Sequence, residues 1–268
     1  MIGVYEKSMP NSMSIEEKLS TAKNAGFDFM EISIDETDEK LSRLYDEKFI
    51  LAVKQAIEKV GFPILTMCLS GHRKYPLGTE DEKTGEKSLE IMAKAIEFAV
   101  KVGIRIIQIA GYDEYYNESN EKTKENFEIR LKKSVETASE KGVILGFETM
   151  ETPFMNTVEK SMHYVNKIQS PYLKVYPDTG NITNGANDAI EDIKTGKGHI
   201  VAAHLKETVE GVYRDMFFGE GRVDFKGCIK ELKSQGVNLF NCEFWYDNKS
   251  EPLQYLSRAR KFFKELGL

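Results

Sequence analysis

Residues Ile200–Thr208 read IVAAHLKET, an apolar run from Ile200 to Ala203 that ends in a histidine, His204, with Lys206 two positions on. Side chains of a strand alternate faces with a period of about 2 residues, so His204 and Lys206 point the same way. Three other apolar runs end in a carboxylate: Val143–Phe147 at Glu148, Leu173–Pro177 at Asp178 and Leu239–Cys242 at Glu243. These terminal residues recur at intervals of roughly 30 residues, the length of one strand-plus-helix unit in a barrel of about 250 residues. In that fold they lie at one height on successive strands, at the end where barrel active sites form.

The rest of the chain repeats the unit. Runs of strand length occupy Ile2–Tyr5, Phe27–Ser33, Ile64–Ser70, Ile104–Ala110, Val143–Glu148, Leu173–Tyr176, Ile200–Leu205 and Leu239–Phe244, each followed by a polar segment and a helical pattern. In the first helix Ile15, Leu19, Ala22 and Ala25 share one face, and Ser14 with Glu17 forms a capping box. Phe49, Ala52, Val53, Ala56, Ile57 and Val60 make a similar stripe, and Ser250 is the expected N-cap of the last helix, with Pro252 in its first turn. Glycine stands just before six of the strands, at Gly26, Gly61, Gly103, Gly142, Gly198 and Gly236, while Ser170-Pro171 marks a further joint without one. A glycine there closes a helix in the left-handed conformation at low cost. Strands alternating with helices at a near-constant period specify a parallel sheet, and eight such units close. The expected fold is α/β, a single (β/α)8 TIM barrel over residues 1–268, with no linker or second domain.

Composition bounds the function. The 268 residues are 41% hydrophobic and 30% charged, with a net charge of −6. That excess of carboxylates argues against a nucleic-acid partner, which needs clustered cations. Cys68, Cys228 and Cys242 form no CxxC pair, as expected of reduced thiols in a cytoplasmic protein. Glu6 and Lys7 interrupt any signal-peptide core, and no apolar run approaches the roughly 18 residues that span a bilayer. Neither secretion nor a membrane partner is expected.

Any one carboxylate after a strand is commonly only a helix cap. Glu148, Asp178, His204 and Glu243 at successive strand ends instead make a shared site for one divalent metal ion, Mn²⁺, Mg²⁺ or Zn²⁺. A divalent ion chelating adjacent oxygens of a 2-ketose acidifies the neighbouring C–H and stabilises an enediolate. A carboxylate on each side of that plane can take the proton from one face and return one to the other, which is epimerisation. Glu148 and Glu243 are the candidate catalytic pair. Candidates for holding substrate are Lys206, on the His204 face; Glu31, which ends the second strand with Ser33 on the same face; and Ser70 and His72, with Arg73, in LSGHRKYP. Arg214 and the Gly219-Glu220-Gly221 turn compete for a phosphate. His163 and His199 read as structural, and Trp245 either walls the pocket or packs.

At these residues the chain resembles a known group. GVYEKSMP, FMEISIDETDEKLSRL, MCLSGHRKYPLG, IQIAGYDEYY, FMN at Phe154–Asn156, VYPDTGN, AAHLKET and RDMFFGEGRVDF are similar to the L-ribulose-5-phosphate 3-epimerases, also called L-xylulose-5-phosphate 3-epimerases, of the xylose-isomerase-like barrel superfamily. DETDEKLSRL and AGYDEYY are specific to the group, whereas the strand-end ligands mark only the superfamily. The resemblance implies interconversion of L-xylulose 5-phosphate and L-ribulose 5-phosphate in L-ascorbate or related pentose catabolism, with a small sugar phosphate as substrate and a homodimer as the assembly. It assigns the metal to Glu148, Asp178, His204 and Glu243, catalysis to Glu148 and Glu243, and contact with substrate oxygens to Arg214. Related ketose 3-epimerases carry a histidine where this chain has Asn181, which reads as a marker of substrate class.

Three alternatives stand beside this reading. An aldose–ketose or hydroxypyruvate isomerase on the same metal-dependent barrel would move hydrogen between C1 and C2. A zinc-dependent barrel DNA-repair endonuclease would need more than the 4 histidines present and a basic face. A non-catalytic sugar-binding barrel has no use for two opposed glutamates.

Overall fold

All six joint glycines have positive φ: 88° at Gly26, 61° at Gly61, 94° at Gly103, 67° at Gly142, 83° at Gly198 and 86° at Gly236. At the joint without glycine, Gln169 takes the same conformation, φ 56°, and closes its helix through a bond from its N–H to the Val165 carbonyl. One turn geometry therefore recurs around the molecule, strained only where a side chain must occupy it.

The computed structural model describes residues 1–268. Strands β1 (Ile2–Tyr5), β2 (Phe29–Ile34), β3 (Ile64–Leu69), β4 (Ile106–Ala110), β5 (Ile144–Glu148), β6 (Leu173–Tyr176), β7 (Ala203–Leu205) and β8 (Phe240–Cys242) form one 8-stranded sheet in the order β6-β5-β4-β3-β2-β1-β8-β7. Every pairing is parallel. The sheet edges meet through isolated parallel bridges, Val175 with Ile200 and Asp178 with His204, which bring the last seam of the barrel together.

Helices fill the crossovers: α1 (Ile15–Asn24), α2 (Asp38–Ser42), α3 (Glu47–Val60), α4 (Glu82–Val102), α5 (Glu121–Lys141), α6 (Val158–Ile168), α7 (Thr179–Gly185), α8 (Ala189–Thr195), α9 (Phe225–Ser234) and α10 (Pro252–Glu265). Ser14 caps α1 as expected, accepting from the Glu17 N–H while the Glu17 carboxylate accepts from the Ser14 N–H at 2.7 Å. The cap of α10 is Glu251 and not Ser250: Glu251 accepts from the Gln254 N–H, and the Ser250 hydroxyl is spent on Asp247. Pro252 takes the first helical turn. No helix is long and apolar enough to cross a membrane.

A continuous apolar core of 60 buried residues draws on both strands and helices, Ile32, Ile107, Phe147, Leu205 and Cys242 among the strand residues. Cys242 thus turns away from its neighbour Glu243, as period 2 requires. Tyr176, Ile106 and Ala202 form a separate small cluster, with Ile144, Val201 and Leu239 against it. The Tyr176 hydroxyl reaches up from that cluster to Glu31, so the apolar filling gives way to polar side chains toward the strand C-termini. Strand β7 is shorter than the apolar run that contains it, because on its β6 side, at the closing seam, the ladder is reduced to isolated bridges.

Candidate active site

The register of the closing seam places the site. Asp178 and His204 are bridge partners, with the His204 N–H bonded to the Pro177 carbonyl at 2.9 Å. The Glu243 N–H bonds to the Leu205 carbonyl, and Glu148 is the last residue of β5. Four side chains remote in sequence are thereby held at one level. One ligand atom from each of Glu148, Asp178, His204 and Glu243 lies within 4.8 Å of all the others, and all four residues are buried.

His204 stands between carboxylates. Its Nδ1 is 3.0 Å from Glu148 Oε1 and 3.1 Å from Glu243 Oε2, and its Nε2 is 2.6 Å from Glu31 Oε1. Lys206 also turns inward, as alternation requires, with Nζ 3.2 Å from Asp178 Oδ1 and 3.7 Å from Glu243 Oε2. Asp178 does two jobs: Oδ1 accepts from the Asn181 N–H at 2.7 Å and caps α7, while Oδ2 is buried without a hydrogen-bond partner. Glu243 Oε2 is likewise without a hydrogen bond.

Charge dominates this interior. Burial pushes the Asp178 carboxyl well up, opposed by Lys206 and reinforced by Glu243 and Glu148. Burial and the Glu243 charge raise Glu148. Burial also works upward on Glu243, but Lys206 and His204 outweigh it and hold that carboxyl well below its usual range. For His204 and Lys206 burial acts downward, yet the surrounding carboxylates carry both above their ordinary values. Glu31, Glu148, Asp178 and Glu243 together exceed the cationic groups they face. A divalent cation is the economical way to neutralise such an excess in a water-poor site. The donor set, three carboxylates and one imidazole with two carboxylate oxygens unpartnered, fits a hard or borderline divalent ion and not a thiolate-seeking one.

Tyr5, Lys7, Cys68, Ser70, Arg73, Glu148, Met150, Glu151, Lys206, Tyr213, Arg214, Glu243 and Trp245 line the cavity above the cluster. Ser70, Lys206 and Arg214, three of the expected substrate contacts, thus face this cavity. Arg214 lies 3.8 Å from Glu151 and 5.8 Å over the Trp245 ring, and Trp245 also packs edge-on to Tyr5. Arg73 rests 4.6 Å over the Tyr115 ring, makes no salt bridge within 4.0 Å, and leaves Nε buried without a partner.

Two expected substrate contacts are corrected. His72 does not line the cavity: in the short 3₁₀ turn Gly71–Arg73 its ring faces inward, with Nε2 3.0 Å from the Ser88 carbonyl of α4. Glu31 lies beneath the cavity and meets His204, Asn241, Thr66 and Tyr176, so its lone pairs are used before any sugar hydroxyl could reach them.

The supporting residues Gln108, Thr66, Tyr176 and Asn241 escape the sequence reading. Tyr176 and Asn241 stand two positions before Asp178 and Glu243, so strand alternation could have found them. Gln108, a polar residue inside the apolar run Ile106–Ala110, carried its own signal.

A family model described as the xylose isomerase-like TIM barrel matches residues 19–266. Among curated proteins, the L-ribulose-5-phosphate 3-epimerase UlaE of Escherichia coli is 44% identical over 265 residues, covering 98% of this chain and 93% of the relative. The protein of the same name from Shigella boydii serotype 18 matches to the same extent, 44% over 265 residues. Among solved structures, a D-tagatose 3-epimerase-like protein superposes with a TM-score of 0.82 at 18% identity, covering 99% of this chain and 96% of that one. The 3-keto-D-glucoside 4-epimerase YcjR of E. coli gives 0.81 at 17% identity, covering 98% of both chains. At such identities the structural likeness speaks for the barrel alone.

Proposed function

The chain belongs to the xylose isomerase-like TIM barrels and, within them, to the L-ribulose-5-phosphate 3-epimerase family; from that membership we propose that it is a metal-dependent isomerase inverting C3 of a ketopentose 5-phosphate. The reaction is L-xylulose 5-phosphate to L-ribulose 5-phosphate and back. One barrel domain, residues 1–268, carries the whole site, and the working assembly is a homodimer.

Glu148, Asp178, His204 and Glu243 would hold the ion, which as a Lewis acid lowers the cost of negative charge on adjacent ketose oxygens. Everything else falls to the chain's own side chains. Glu148 closes β5 and Glu243 follows β8, three strands further round the barrel, so a sugar bound between them would meet a carboxylate on each face. One removes the C3 proton to give the cis-enediolate, and the other returns a proton to the opposite face; in the reverse direction the roles exchange. Lys206, pinned between Asp178 and Glu243, places a cation beside the developing oxyanion. Arg73, a guanidinium in no salt bridge, takes the phosphate together with the Ser70 hydroxyl, while Arg214 closes over the remaining oxygens.

The observation that carries this reading is the convergence of the Glu148, Asp178, His204 and Glu243 ligand atoms within 4.8 Å under a cavity walled by Ser70, Arg73 and Arg214. Enzyme reconstituted with Mn²⁺, Mg²⁺ or Zn²⁺ is assayed in D₂O on L-xylulose 5-phosphate beside unphosphorylated L-xylulose. Deuterium is expected at C3, with faster turnover of the phosphorylated sugar. Deuterium at C1 would identify an aldose–ketose isomerase instead, and turnover indifferent to the ion would remove the metal from the mechanism.

A further inference from the structure

Directly under the cluster, one fully buried carboxylate gathers partners from across the barrel. Glu31 of β2 accepts from Asn241 Nδ2 of β8 at 2.8 Å, Thr66 Oγ1 of β3 at 2.7 Å and Tyr176 Oη of β6 at 3.0 Å. Its Oε1 is also 2.6 Å from Nε2 of His204 in β7. A carboxylate offers about four lone-pair directions, and here each has a neighbour.

We propose that Glu31 is a positioning residue for the metal centre: it keeps the His204 proton on Nε2 and so aims the Nδ1 lone pair at the gap shared by Glu148, Asp178 and Glu243. The inference rests on the metal reading above and adds the group that sets the affinity.

The geometry leaves little freedom. An unprotonated Nε2 would set one lone pair against another at 2.6 Å, so that nitrogen carries the hydrogen. Asn241 donates through its amide, and Thr66 and Tyr176 through hydroxyls; together they hold Glu31 as an acceptor and prevent it from turning away. The Tyr176 ring, 4.8 Å from the imidazole at 65°, fixes the plane in which His204 can lie. With that plane set, Nδ1 falls 3.0 Å from Glu148 Oε1 and 3.1 Å from Glu243 Oε2, among the atoms that would share an ion. An imidazole whose distal N–H is held by a carboxylate is both correctly turned and a stronger donor to a metal. Glu31 does not line the cavity, so it acts through His204 and not on the sugar.

The test uses the full-length enzyme labelled with ¹⁵N-histidine and loaded with Zn²⁺. Long-range ¹H–¹⁵N spectra resolve the tautomer of each of the 4 histidines, and His204→Gln assigns the signal of interest. His204 is expected as the Nε2–H form with Nδ1 on the metal. Equilibrium dialysis then compares Zn²⁺ binding by wild type and Glu31→Gln, which keeps the shape and an acceptor oxygen but removes the charge. The expected loss is about 10- to 100-fold in affinity. A role confined to folding would lower the melting temperature and leave the dissociation constant unmoved. Zn²⁺ bound with His204 in the Nδ1–H form, or Glu31→Gln binding within about two-fold of wild type, overturns the role of Glu31 and leaves the metal centre standing. Failure of wild type to retain Zn²⁺ overturns both. Should Glu31→Gln not fold, the wild-type tautomer alone decides.

Discussion

Gln108 Nε2 donates to Glu148 Oε2 at 2.6 Å, wholly within the barrel. β4 thereby ties down one oxygen of the Glu148 carboxylate and leaves the other, Oε1, facing His204 at 3.0 Å. A base or metal ligand that must act within a fraction of an ångström profits from such a tether. In Gln108→Leu the side chain keeps its bulk and the tether is lost. Turnover at saturating metal is expected to fall about 10- to 100-fold with the fold intact, read by steady-state kinetics beside a circular-dichroism melt. Unchanged kcat would show that Glu148 needs no such support.

The two glutamates are separable by isotope exchange. Glu148→Gln and Glu243→Gln should each lower epimerisation by about 10²- to 10⁴-fold. If each carboxylate serves one face, one variant still washes deuterium into C3 of L-xylulose 5-phosphate, and the other into C3 of L-ribulose 5-phosphate. Metal content is measured in parallel, since both residues are also candidate ligands. Full turnover in Glu148→Gln would remove it from the chemistry.

Arg73 is expected to discriminate by phosphate. A hydrogen bond to a charged group contributes roughly 1.5–3 kcal/mol, so Arg73→Met should raise KM for the phosphorylated ketose about 10- to 100-fold. KM for the unphosphorylated ketose should hardly move. Equal effects on both sugars would place the phosphate elsewhere, Arg214 being the next cation to replace.

His72 gives a stability test that is independent of catalysis. Burial lowers its imidazole from 6.5 to about 4, against the opposing bond to the Ser88 carbonyl. Because the folded value lies below the unfolded one, the unfolded chain takes up a proton that the folded chain refuses. The stabilisation is therefore complete above about pH 6.5 and is lost as pH falls toward 4. Between pH 7.5 and 4.5, wild type should lose about 2.5 kcal/mol more than His72→Gln in urea unfolding. Parallel losses would mean that the ring charges readily where it sits.

The extent to which all this is written locally can be judged residue by residue. The joints Gly26, Gly61, Gly103, Gly142, Gly198 and Gly236 and the capping box at Ser14 depend on a few neighbouring atoms, and the chain displays them in order. So do the polar residues that end each apolar run, because the direction of a strand side chain follows from counting by twos. Glu148, Asp178, His204 and Glu243 were legible for that reason. Lys206 was legible from His204 in the same way.

The layer beneath them was not. Glu31 touches His204 across 173 positions of sequence and Asn241 across 210, and those contacts exist only once the sheet has closed and its tilt has set which side chains share a level. His72 failed for a related cause: in a tight turn, consecutive residues diverge, so Ser70 and Arg73 reach the cavity while the ring between them turns into α4. Local periodicity decided which strand ends carry the three carboxylates and the histidine. Closure of the barrel decided which of the remaining polar groups face the cavity and which lie beneath it, because only the closed sheet fixes distances between strands remote along the chain.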